Sequence, residues 1–99
     1  MAPVRRIVLD TLKPHHPTIL RMAEEVADTS DGVSGVNVTL IGMDREVENV
    51  KLTIEGDEID YSKVKDAIEN LGATVHSIDE AVCGAEIVEE HKTPQDPHV

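Results

Sequence analysis

The sequence predicts an α+β sandwich, with two helices packed on one face of a four-stranded antiparallel sheet. Three observations carry the prediction. Two stretches, VNVTLI and VKLTIE, alternate apolar and polar residues with the period of a half-buried strand and are joined by a connection too short for a helix. Two further stretches carry apolar residues at helical spacing. Strand patterns stand before the first helical stretch and after the second, so the order is strand, helix, strand, strand, helix, strand. Each strand–helix–strand half needs a right-handed crossover, and two interleaved halves give the ferredoxin-like βαββαβ topology. In that topology the first and third strands are central and the second and fourth are edges.

The first strand is expected over residues 4–12, VRRIVLDTL, with Ile7 and Leu9 on one face and Arg6, Val8 and Asp10 on the other. Apolar residues on both faces suit a central strand. Lys13-Pro14-His15-His16-Pro17 is expected to stop it, because proline cannot donate to a ladder. Pro17 suits the first position of a helix over residues 17–28. Ile19, Met22, Ala23, Val26 and Ala27 form that helix's apolar stripe.

The central hairpin places strands at residues 36–41 and 50–55, joined by residues 42–49. The second helix is marked at both ends. Asp60 can cap its first turn, Ile59 and Val64 have the spacing of a hydrophobic staple, and Gly72 supplies a left-handed exit after Val64, Ile68 and Leu71. The last strand covers residues 73–82, with an irregularity because Val75 and Ile78 do not share a period-2 face. The chain thus divides into a domain over residues 1–84 and a polar tail over residues 85–99, which contains Pro94 and Pro97 and reads as loosely held.

Bulk composition narrows the function. Ninety-nine residues make one core, built from Val, Ile and Leu because there is one Tyr and no Phe or Trp. A net charge of −11 argues against nucleic acid, which is bound by neutralising phosphates with Lys and Arg. The acidity fits either a cation-binding surface or a solvated coat for concentrated salt, as in a halophilic archaeal protein. A single cysteine, Cys83, excludes an internal disulfide and any paired-cysteine metal motif. No apolar run is long enough to span a membrane and the N-terminus lacks a signal-peptide core, so the expected location is cytoplasmic.

Two acidic groups are candidates for cation binding. Asp44, Glu46 and Glu48 lie in the hairpin connection, where an extended backbone would set alternate carboxylates on one side, roughly 6.6 Å apart. Two can lean onto one ion, and calcium's six to eight oxygens would then need water, carbonyls or another chain. The bland reading is a solvated tip. The second group is Asp10 with Asp79 and Glu80, brought together if the last strand lies antiparallel beside the first, with His15 nearby. There the bland reading is a salt bridge from Asp10 to Arg6 or Lys51. His76 reads as a hydrogen-bonded strand residue. No phosphate loop and no Ser/His/Asp arrangement can be assembled, which disfavours an enzyme.

Residues 7–17 (IVLDTLKPHHP), 35–56 (GVNVTLIGMDREVENVKLTIEG), 76–84 (HSIDEAVCG) and 88–96 (VEEHKTPQD) together resemble the archaeal family called domain of unknown function 211. The resemblance is in order and covers nearly the whole chain; because it reaches Thr93 to Asp96, it implies that the tail docks on a neighbouring subunit. It implies a ferredoxin-like fold, assembly into rings or larger oligomers, association with divalent cations including calcium, and no established enzymatic activity. His16 departs from the family's commoner KPHEP. The expectation is therefore a calcium-binding, self-assembling, non-enzymatic protein whose partner is itself, through a ring or filament. The alternative is an oligomeric regulatory module holding a small ligand between subunits.

Overall fold

The structure, a computed structural model, describes residues 1–29 and 31–91. Its elements are β1 (Val4–Pro14), α1 (Ile19–Ala27), β2 (Val33–Met43), β3 (Val47–Gly56), α2 (Tyr61–Asn70) and β4 (Thr74–Cys83). They form one antiparallel sheet in the order β2-β3-β1-β4, the ferredoxin-like arrangement expected from the element order. Ile7 and Leu9 of β1 and Val50, Leu52 and Ile54 of β3 face the helices. They pack with Met22 and Val26 of α1 and Val64 and Ile68 of α2 into one core.

The helix ends follow local chemistry. Asp60 accepts the amides of Ser62 and Lys63, Ile59 and Val64 are both buried as the staple spacing requires, and Gly72 leaves α2 at φ +85°. At α1 the sequence reading needs correction. Thr18, and not the residue before Pro17, caps the helix by accepting the Arg21 amide, so Pro17 lies outside it. A hydroxyl can satisfy a first-turn amide and proline's ring cannot.

The strands run further than the alternation indicates. β1 continues through Lys13 and Pro14, opposite Glu48 and Val47. Proline is tolerated there because the pairing with β4 ends at Leu12, so that β1 is an edge at Pro14. β2 and β3 extend until only residues 44–46 remain as the turn, in place of the eight-residue connection expected. The change has a chemical consequence, because Glu48 becomes a strand residue on the same face as Val50 and Leu52.

The face away from the helices carries Arg6, Val8, Asp10 and Leu12 from β1 and Lys51, Thr53 and Glu55 from β3, as period-2 alternation requires. Asn37 and Thr39 of β2 join them through their pairing with Thr53 and Lys51, while Ile41 falls in a register break between Leu40 and Gly42. β4 is irregular, with three register shifts against β1. Beyond it the chain returns over this face. Arg6 Nη1 and Nη2 donate to the two carboxylate oxygens of Glu89 at 2.8 and 3.1 Å, and Arg6 Nε donates to Glu55 at 2.6 Å. Val82, opposite Arg6, is buried although it lies outside the helix-side core. The segment over residues 85–91 is thus held by its own sheet. The tail's remaining residues, including Thr93 to Asp96 of the docking expectation, lie outside the described residues.

Candidate functional site

The sequence-predicted residues meet most closely at the β2–β3 turn, where β1 ends. Three elements build it. Period-2 continuation from Ile7, Leu9 and Thr11 places Lys13 on the helix side of β1, and the same rule places Glu48 there on β3. The two are opposite each other in the pairing. Lys13 has no exposed surface, and its Nζ donates to Glu48 Oε1 at 2.8 Å and to the carbonyls of Pro14 and His15 at 2.8 and 3.4 Å. Three acceptors suit the three protons of an ammonium, so the buried charge is satisfied in full.

The other Glu48 oxygen, Oε2, lies 3.1 Å from His15 Nδ1, while His15 Nε2 lies 3.0 Å from the Arg45 carbonyl. A ring with an acceptor at both nitrogens donates from both only as imidazolium. The hydrogen bond to Glu48, followed by that to the Arg45 carbonyl, raises the His15 pKa. Lys13 first and His15 second hold the Glu48 carboxyl below its ordinary range. Asp44 shapes the turn itself. Its Oδ1 accepts the amides of Val47 and Glu46 at 2.9 and 2.8 Å, which lowers its pKa. Glu46 is exposed, and its side chain has no hydrogen bond or ion pair among the described residues.

The three carboxylates of the turn therefore diverge. Glu48 is committed inward to Lys13 and His15, Asp44 is committed to the turn backbone through one oxygen, and Glu46 faces outward. The expectation that they share one side fails because Glu48 belongs to β3 and not to an extended loop. On the other face of the turn, a shallow hollow of about 300 Å³ is bounded by Leu12, Gly42, Met43, Asp44, Val47 and Asn49. Asn49 Oδ1 is buried without a hydrogen-bond partner.

The second expected group is spread along β1 and β4. Asp10 stands opposite Ser77 and Lys51, and Glu80 stands opposite Val8. Asp79 falls in a register break and accepts the Ser77 hydroxyl at 2.6 Å. Glu80 lies 3.5 Å from Arg6. No ion pair joins Asp10 to Arg6 or Lys51 among the described residues, because Arg6 is engaged by Glu55, Glu80 and Glu89. His15 belongs to the turn with Glu48 and not to this group. His76 is exposed in another β4 register break and makes no side-chain hydrogen bond among the described residues. Among the described residues, no three or more His, Cys, Asp or Glu side chains of one chain are arranged to hold a metal ion.

Sequence reasoning missed the two arginines as organisers. Arg5 donates to the carbonyls of Gly56, Gly84 and Ala85, tying the ends of β3 and β4 to β1, while Arg6 gathers three carboxylates on the other face. Their opposite directions follow from strand alternation, but Glu89 lies too far along the chain to be paired with Arg6 by spacing. Lys13 was within reach, since it extends the buried parity of Ile7, Leu9 and Thr11. No helix among the described residues is long and apolar enough to cross a membrane.

Comparison with known proteins relates the sequence to an archaeal family. A family model described as DUF211, uncharacterized ArCR, matches residues 5–97. An uncharacterized protein of Methanocaldococcus jannaschii is 52% identical over 98 residues, covering 99% of this chain and 100% of the relative.

Proposed function

The chain belongs to the DUF211 family of archaeal proteins, and from that premise we propose that it is a non-enzymatic, self-assembling cytoplasmic protein whose copies join through the sheet. One observation carries the reading. Apolar side chains stand exposed on the sheet: Leu12 near the turn on the open face, Leu40, Ile41 and Met43 along one edge, and Ile78 on the other. Association would remove that surface from water.

Calcium enters as the neutralising ion of this assembly. A chain of net charge −11 repels its own copies, and a divalent cation shared between Glu46, the second oxygen of Asp44 and a neighbour's oxygens would turn repulsion into contact. Glu48 plays no direct part in this scheme, since Lys13 and His15 already hold both of its oxygens.

The test is light scattering behind a sizing column, in chelator, in calcium and in magnesium at equal concentration. A mass above 10.8 kDa that rises with calcium, and rises less in Glu46→Gln, is expected. One fixed oligomer in all three buffers would remove the ion and favour the ligand-holding module. A monomer throughout would overturn self-assembly.

A further inference from the structure

We propose that β2 is a self-complementary edge, through which two copies of this chain pair antiparallel, β2 against β2, joining their sheets across a two-fold axis. The inference rests on the self-assembly reading and specifies one of its contacts.

An edge strand presents unpaired amides and carbonyls, and proteins guard such strands with charge, proline, short length or distortion. β2 has none of the first three. It is 11 residues long, VSGVNVTLIGM, with no charged residue and no proline, in a chain of which 29% is charged. Distortion is confined to its ends, at the register breaks between Val33 and Gly35 and between Leu40 and Gly42. Between them, residues 35–40 run in unbroken register opposite β3, so the outward-facing groups keep the even spacing a new strand needs.

The other edge is unlike it. β4 carries Asp79 and Glu80, and its register breaks after Val8 and again after Asp10 leave no comparably long regular run. Joining two β4 edges would also bring carboxylates of two acidic copies together. β2 against β2 brings none, so, unlike β4 against β4, this pairing opposes no carboxylates across the new contact between two copies of net charge −11.

The pleat fixes where the axis can pass. Opposed residues of an antiparallel pair point to the same face, so a two-fold axis must pass through a residue and not between two. An axis at Val38 opposes Val36 of each copy to Leu40 of the other on the helix side, and Asn37 to Thr39 on the open face. Apolar meets apolar and polar meets polar. Leu40, 41% exposed in the single chain, gains a neighbour, and Ile41, 61% exposed, lies at the rim.

The test uses the full chain with Cys83→Ser as background and single cysteines at positions 36–40 and at Ser77. Mild oxidation should give a disulfide-linked dimer that peaks at Val38→Cys and is absent for Ser77→Cys. The double variant Asn37→Glu/Thr39→Glu sets like charges opposite each other twice across the axis, while Lys51 faces position 39 within the chain. It should keep its circular dichroism spectrum and lose the β2 contact, with the scattering mass falling by half. An oligomer that cross-links only between a β2 cysteine and Ser77→Cys would overturn this pairing and leave self-assembly standing. A monomer by scattering in the unsubstituted chain would overturn both.

Discussion

Lys13 and Glu48 face each other across the β1–β3 pairing on the helix side, with Nζ 2.8 Å from Oε1 and no surface of the lysine exposed. The pair fastens the last residues of β1 to the first residues of β3. It explains why the strands continue to the turn, and why a proline-containing stretch remains in the ladder. A buried ammonium is costly to strand without its partner and much less costly to remove together with it.

Glu48→Gln leaves the ammonium with two carbonyls and a neutral amide. Its melting temperature is expected to fall by at least about 5 °C. Lys13→Met/Glu48→Gln should melt higher than the sum of the two single losses predicts, because the double change strands no charge. Thermal denaturation of the four proteins in one buffer reads the coupling, and strict additivity would show that the pair does not act as a unit.

Stability should pass through a maximum with pH. His15 has a raised folded pKa, so its contribution is full below the ordinary value of 6.5 and is lost as pH rises through the folded value. Glu48 and Asp44 have lowered values, so theirs are full above the ordinary 4.5 and 3.8 and are lost as pH falls through the folded values. Urea denaturation across pH measures both arms. In His15→Ala the decline above pH 6.5 should flatten while the acid arm persists.

The bidentate Arg6–Glu89 pair is expected to set the protease sensitivity of residues 85–91. Glu89→Gln keeps the shape of the side chain and removes its charge, so limited proteolysis should cut this segment several-fold faster without unfolding the domain. Salt should act in the same direction on the unsubstituted chain, since Glu89 is exposed. Equal cutting rates would mean that the segment is held by something other than this pair.

Gly56→Ala should be the most damaging single methyl in the chain. A Cβ there would run into the carbonyl of Gly32, where the start of β2 passes the end of β3. The backbone would have to separate, at about 3 kcal/mol or more. Gly42→Ala, whose Cβ meets nothing nearby, is the control and should melt within a few degrees of the unsubstituted chain. Denaturant midpoints separate the two.

The sequence by itself determined the element order, the central and edge strands, the caps of α2 and the core residues, because each depends on period, local turn chemistry or burial of aliphatic side chains. It also located the turn, and it carried enough of the family pattern to mark the chain's relatives. It could not determine the fate of the carboxylates. Glu48 faces inward because three turn residues suffice to close the hairpin, which alternation alone does not reveal. Arg6 is denied to Asp10 because Glu89 returns from beyond β4, a contact between residues 83 positions apart. Charge type is written in the sequence, but which charges meet is decided by strand register and by the path of the chain after the last strand, both of them properties of the tertiary structure.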